Sequence, residues 1–411
     1  MSSSALDRAI ASHSAALWEQ VQEQLAPDPP SEAIYDAYRA MPRHRFVPRY
    51  RHWHNPRWFD VTEENLIEHL GALYGNHPLG ILGEPSDDAV ATISQPLMVV
   101  IMLRALDLKA GQRVLELGTG SGWNAALMGH LVGGEGHITT VEIVPELCER
   151  ARRCLDAQGV SNVSIVEGDG ADGHVSRAPY DRVIMTVGFS DLSPELGKQL
   201  VEGGLLLAVV KNPGGMDWML VLRKRGEVLD AEEILPCAFV QATGRLHVEA
   251  LEPAELETMP EWQRLANDLV ERRPFFWGSK GERFFEARTM WMRWFLDVTE
   301  PGYQAFREAR RGSEGPDPPR FFGLWGEGRH SLVVARPDSL DAYGSTEPLE
   351  TLMRALHRWV DLGLPSAANF GLSIYPSHAS VEAKSNEWLV RRKVAQYLWK
   401  APFASAPCPR E

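Results

Sequence analysis

Apolar positions near the start of the chain follow helical spacing. Leu6, Ile10, Leu17, Val21 and Leu25 share one face of a helix predicted over residues 5–26, and Pro27-Asp-Pro-Pro30 ends the run. Residues 31–90 mix short helical stretches with turn-rich segments, Asp87-Asp88 among them. From about residue 97 the pattern becomes regular. Met98–Leu108 predicts an amphipathic helix closed at Lys109-Ala-Gly111, where glycine suits a C-cap. Val114–Leu117 reads as a short buried strand, followed by a glycine loop and a helix over Trp123–Leu131. His137–Glu142 is a second strand, and Pro145–Ala157 a second helix with proline in its first turn. Val163–Val166, Arg182–Val187 and Leu205–Val210 continue the alternation, and Trp218–Arg223 adds one more strand.

Strands separated by helices need crossover connections, which predicts an α/β fold with a mainly parallel sheet covered on both faces. Ligands on such sheets bind at the carboxyl ends of the strands. The 411 residues suggest a helical, substrate-side segment over 1–90, a ligand-binding core over 91–250 and an α+β extension over 251–411. A net charge of −13 argues against a nucleic-acid binder that works by neutralising phosphates. No apolar run approaches the ~18 residues of a membrane span, and the first residues lack a basic region followed by an apolar core. A cytoplasmic protein is expected, with neither membrane nor nucleic acid as partner. The four cysteines form no C-x-x-C pair, so neither a disulfide scaffold nor a metal site is expected.

Candidate chemistry concentrates at the strand ends. Glu116-Leu-Gly-Thr-Gly-Ser-Gly122 directly follows a strand and opens a helix, and its glycines let backbone approach a ligand without a Cβ in the way. The spacing is G-x-G-x-G, which departs from the G-x-G-x-x-G of a dinucleotide site and speaks against a dehydrogenase. Glu142 ends the next strand, where a carboxylate can accept from both hydroxyls of a ribose. Asp169, in Glu167-Gly-Asp-Gly170, follows the third, where a carboxylate can accept from an adenine amine. The arrangement resembles the S-adenosylmethionine-dependent methyltransferase fold. The resemblance implies S-adenosyl-L-methionine as cofactor, met by Glu116, Gly118, Thr119, Gly120 and Gly122, by Glu142 and Ile143, and by Gly168, Asp169 and Gly170.

Thr92-Ile-Ser-Gln-Pro96 precedes this unit, Met41-Pro-Arg-His-Arg-Phe-Val-Pro48 lies further upstream, and Tyr180-Asp-Arg-Val-Ile-Met-Thr186 follows. Together with Phe239-Val-Gln-Ala-Thr-Gly244, similar to a closing strand, these motifs resemble the protein-L-isoaspartate O-methyltransferase family over roughly residues 30–245. The resemblance implies esterification of an aspartyl or isoaspartyl carboxylate in a peptide or protein, with Ser94 implicated in catalysis. Thr92 and Ser94 would orient the acceptor through their hydroxyls; the alternative for Ser94 is a cap on the following helix. The acceptor carboxylate needs no strong base, only alignment at ~3 Å from the methyl and exclusion of water.

Two features depart from that family. Leu97 stands where a polar residue usually follows the loop proline, and the segment Tyr74–Ala91 is longer and more acidic than usual. The C-terminal portion adds Trp277, Trp291, Trp294, Trp325, Trp359, Trp388 and Trp399 beyond the usual end of repair enzymes, with the loop-like Arg310–Arg320 inside it. It looks similar to the extension of methyltransferases encoded with ribosomally made peptides, the lanthipeptides and graspetides. That likeness implies maturation of a dedicated peptide, with general isoaspartate repair or a non-catalytic peptide binder as alternatives. The tryptophans would line a peptide groove or fill the added core.

Overall fold

Val, Leu and Ile recur through five consecutive strands, and burial of most of them on both faces is the pattern of a covered parallel sheet. These are β1 (Arg113–Leu117), β2 (His137–Glu142), β3 (Val163–Glu167), β4 (Tyr180–Met185) and β5 (Leu200–Val210). They pair in the order β5-β4-β1-β2-β3, every pair parallel. Val114, Leu115, Ile138, Val183, Ile184, Leu206 and Leu207 are wholly enclosed. The register aligns the tips: Leu117 lies opposite Val141 and Met185, and Glu142 opposite Glu167. Gly118, Ile143, Gly168 and Thr186 are therefore the first residues beyond four adjacent strand ends.

A computed structural model describes the chain except residues 1–2, 53, 54, 56, 84–90, 213–216, 246, 248–252, 276–286, 309–319, 337 and 403–411. Asp87, Asp88, Trp277 and most of the Arg310–Arg320 stretch lie outside the described residues. Two compact units emerge, the first comprising residues 1–209, 221–227 and 239–246, the second 210–220, 228–238 and 247–411.

In the first unit, helices α1 (Pro96–Leu106), α2 (Trp123–Val132) and α3 (Pro145–Ala157) alternate with the strands, and Ser3–Leu25 and Glu32–Ala40 precede them. α1 starts earlier than its periodicity predicts because Pro96 occupies the first turn. It also ends earlier: Asp107, not Gly111, takes the left-handed cap conformation (φ 46°, ψ 58°). Gly111 instead forms the turn into β1, its N–H donating to the Val132 carbonyl. Phe239–Gly244 is not the closing strand expected; it makes a single bridge, Gln241 to Gly188, and crosses the strand ends as irregular chain.

The second unit is α+β. One sheet runs Ala254–Glu255, Tyr303–Arg307, Arg320–Trp325, Leu332–Ala335, Ser339–Tyr343, Leu269–Pro274, antiparallel after its first pair. Antiparallel pairing also joins Val228–Cys237, Gly371–Pro376, Ala395–Lys400 and Glu387–Arg391, so parallel pairing dominates only in the first unit. Helix Glu347–Asp361 buries Leu349, Leu352, Leu356 and Trp359, one stripe at helical spacing. Trp294, Trp325, Trp359 and Trp399 are all buried, and Trp294 meets Phe370 and Trp399 edge-on at 4.9 and 5.3 Å. Trp294 and Trp359 fill core, whereas Trp325 and Trp399, though buried, also form part of cavity walls within this unit.

Candidate active site

The four aligned strand ends open into a cleft that faces solvent on one side. Its walls include Thr92, Ser94, Gly118, Thr119, Gly120, Glu142, Ile143, Gly168, Asp169 and Gly170. The three acid- or glycine-bearing turns and the Thr92–Ser94 loop thus share one cavity.

The glycine turn is required by its backbone. Gly118 has φ +98°, and a Cβ there would sit 2.8 Å from Thr186 Oγ1 and 2.9 Å from Val187 Cγ1. Gly120 has φ +53°, and its absent Cβ points toward the Thr92 carbonyl oxygen, 3.6 Å away. A side chain at Gly120 would thus project from the glycine turn toward the Thr92 strand. Gly122 does not line the cleft. Its missing side chain instead lets α2 start against α3, where a Cβ would lie 3.1 Å from that of Ala151.

Glu142 is anchored at both oxygens: Gly120 N–H donates to Oε2 at 3.0 Å and Val144 N–H to Oε1 at 3.1 Å. Each oxygen keeps a lone pair for a further donor, which fits two ribose hydroxyls. Asp169 accepts from Ala171 N–H at 2.9 Å and Arg245 N–H at 2.8 Å and stays exposed at the cleft's other end. Ile143 adds an exposed apolar surface beside it. Asn124 lines the cleft with a buried Oδ1 that has no hydrogen-bond partner, an acceptor in place for a ligand N–H or O–H. These features fit S-adenosylmethionine.

Glu116 does not line the cleft, contrary to expectation. It is fully enclosed beneath the turn, accepting from Thr140 Oγ1 at 2.6 Å and Asn124 Nδ2 at 2.7 Å. Burial pushes its carboxyl up to about 7 despite those two donors, and nearby Glu142 adds to the rise. Its place is to hold Asn124 and the β2 strand, not to touch a ligand.

On the acceptor side, Ala91–Ile93 pairs with Leu79–Leu82, placing Thr92 opposite Gly80. The cap alternative for Ser94 finds no support: Asn76 Oδ1 accepts from Leu97 N–H at 3.1 Å and so serves the start of α1. Sequence reasoning missed Arg43. Fully buried, it donates to the carbonyls of Leu73 (2.7 Å), Gly75 (3.3 Å), His77 (3.0 Å) and Ser94 (3.1 Å). Burial depresses its pKa to about 10, far too high for it to lose its charge near neutrality. The motif Met41–Pro48 signalled the region but not this role, because the four acceptors lie far along the chain. Thr186, Val187, Phe189 and Val240–Thr243, also on the cleft wall, were missed as well.

A family model for protein-L-isoaspartate(D-aspartate) O-methyltransferase matches residues 13–247. A protein-L-isoaspartate O-methyltransferase of Ignicoccus hospitalis is 42% identical over 45% of this chain and 83% of its own length. One from Methanococcus maripaludis is 36% identical over 52% of this chain and 88% of its own. A solved structure titled protein-L-isoaspartate O-methyltransferase shares the fold at TM-score 0.52 and 22% identity, covering 88% of this chain and 96% of its own. At 88% coverage that likeness cannot be confined to residues 13–247 and extends into the second unit. Aligned strand ends, the glycine turn and the matched span together place the chain in the protein-L-isoaspartate(D-aspartate) O-methyltransferase family, enzymes that use S-adenosylmethionine.

Proposed function

We infer that the chain esterifies the free carboxylate of an isoaspartyl or aspartyl residue in a peptide or protein. The observation that carries this reading is the shared cavity: Thr92 and Ser94 line the same cleft as Gly118, Gly120, Glu142 and Asp169. Bound S-adenosylmethionine supplies an electrophilic methyl group. Glu142 holds ribose hydroxyls, Asp169 faces the adenine amine, and Gly118, Thr119 and Gly120 line the approach. Gly168, Gly170 and Ile143 complete the wall.

The acceptor carboxylate is already ionised near neutrality, so the chain supplies position in place of a base. Thr92 and Ser94 hydroxyls donate to the oxygen that does not react, turning the other toward the methyl. Arg43 acts through Ser94 by fixing its carbonyl and is a positioning residue. In the ester, the following backbone nitrogen attacks the carbonyl carbon. A C–N bond forms, the C–O bond to methoxide breaks, and methanol leaves with the amide proton, giving a succinimide. Water then opens the ring to aspartate or isoaspartate.

Acceptance of isoaspartyl residues in ordinary proteins is supported by the family match and by a solved relative whose likeness extends into the second unit. Dedicated maturation of a ribosomally made peptide draws support from the roughly half of the chain that the curated relatives leave uncovered. Among the described residues no helix is long and apolar enough to cross a membrane, in keeping with a cytoplasmic setting for either substrate.

The test is transfer of radiolabelled methyl to an isoaspartyl peptide, to its aspartyl counterpart and to a cyclised aspartyl peptide, with Ser94→Ala alongside. Turnover on the linear isoaspartyl peptide is expected, with Ser94→Ala slowing turnover more than it weakens binding of S-adenosylhomocysteine. Labelling of the cyclised peptide alone would establish the maturation reading. Labelling of none would refute carboxylate transfer.

A further inference from the structure

Residues 43–59, Arg-His-Arg-Phe-Val-Pro-Arg-Tyr-Arg-His-Trp-His-Asn-Pro-Arg-Trp-Phe, carry five arginines and three histidines without one acid, in a chain of net charge −13. The fold sets part of this basic stretch beside the acceptor loop. Arg51 exchanges both backbone hydrogen bonds with Gly80 at 2.9 Å, and Gly80 in turn lies opposite Thr92. Arg49–Tyr50 pairs with Phe59–Asp60 on the side away from Gly80. Two strand spacings, about 10 Å, therefore separate the backbone at Arg51 from that at Thr92.

The cations there are held in place by aromatic rings. Arg49 lies over Trp58 at 4.8 Å, Arg51 over the same ring at 5.6 Å, and Arg57 over Phe59 at 5.0 Å. Arg49 and Arg57 are exposed. Stacking occupies the faces of a guanidinium and leaves its N–H edge available for a carboxylate. Arg49 already shows that preference, with Nε 3.4 Å from the exposed Asp60 carboxylate. An exposed pair of this kind is weak enough for an incoming carboxylate to displace.

We propose that Arg49 and Arg57 form a recognition surface for an acidic stretch of the substrate, flanking the residue to be methylated. This rests on the reading of Thr92–Ser94 as the acceptor loop. An extended peptide advances about 3.3 Å per residue, so glutamates or aspartates three to five positions from the acceptor reach the surface. The net charge of −13 disfavours non-specific docking of acidic peptides on the chain as a whole.

The experiment uses the full chain and three fluorescent isoaspartyl peptides that differ only at the third to fifth flanking positions, filled by Glu, Gln or Lys. Anisotropy gives Kd without requiring turnover, and methylation of the Gln peptide separately tests the acceptor-loop reading. At about 0.02 M NaCl the Glu peptide is expected to bind roughly tenfold more tightly than the Lys peptide, the ratio shrinking toward one at about 0.5 M. In R49Q/R57Q the ratio should collapse to about twofold or less, with a melting temperature like that of the parent reporting intact folding. Equal binding of Glu and Lys peptides by the parent, or a ratio that survives in R49Q/R57Q, overturns the proposal.

Discussion

Replacing Arg43 by methionine keeps much of the side chain's apolar length and removes its charge. Four carbonyls, those of Leu73, Gly75, His77 and Ser94, then lose their donor at once. Hydrogen bonds to a charged group contribute about 1.5–3 kcal/mol each, so the gross loss approaches 10 kcal/mol. Against this stands the cost of burying a guanidinium with no carboxylate bonded to it. The pKa near 10, below the ordinary 12.5, expresses that cost as roughly 3 kcal/mol. Carbonyls near the surface also recover water once the loop loosens. A net destabilisation of about 3–5 kcal/mol follows, the range for breaking a buried charged network. Urea unfolding at constant slope measures it. Because the Ser94 carbonyl is one of the four anchors, methyl transfer should fall by about a hundredfold, the loss expected from a misplacement near 1 Å. Arg43→Lys keeps a charge and three donors and should recover part of both losses. An Arg43→Met protein that unfolds at the parent's urea concentration and turns over at the parent's rate would refute the reasoning.

Gly118→Ala forces a Cβ against Thr186 and Val187 at φ +98°; a stability loss of about 2 kcal/mol should accompany weaker S-adenosylhomocysteine binding by calorimetry, and unchanged affinity counts against a ligand at this turn. Glu142→Ala removes the acceptor for two backbone donors and for the ribose, so Kd for S-adenosylhomocysteine should rise by about 1–3 kcal/mol equivalent; a change within about twofold would remove Glu142 from the ribose site. Glu116 has a folded pKa near 7 against its ordinary 4.5. Its contribution to stability is therefore whole below pH 4.5 and is lost as pH rises through 7. Glu116→Gln, which stays neutral, should cancel up to roughly 3 kcal/mol of that slope; identical stability–pH curves for parent and variant would show that Glu116 titrates normally.

The sequence resolved best those elements whose local chemistry agrees with their burial. β2 and α3 begin and end where they were expected, because an apolar run meets an acid at one boundary and Pro145 opens the next helix. Val228–Cys237 escaped notice since its paired acids Glu232 and Glu233 mask the alternation of a strand that is only partly buried. Phe239–Gly244 misled in the opposite sense. Its residues suit a strand, yet the N–H of Gly188 bonds the Val240 carbonyl and the N–H of Ala242 returns to Gly188, so the segment spans strand ends instead of joining the sheet. Within the site, residues directly after strands were legible because topology alone brings them together. Glu116 was misplaced by proximity to the glycine turn, since strand alternation sends its side chain under the turn. Arg43 was illegible because nothing local distinguishes a cation that gathers carbonyls more than thirty residues away.

Glu142 is clasped by Gly120 and Val144 before any nucleoside arrives. Its rotamer entropy is surrendered during folding, and little remains to be lost on ligation. Affinity for the donor then passes almost undiminished into resistance to unfolding, about 2.7 kcal/mol when free ligand stands at a hundred times its dissociation constant. If Glu142 holds the methyl donor as proposed, the resistance of the first unit to proteolysis rises with the supply of that donor.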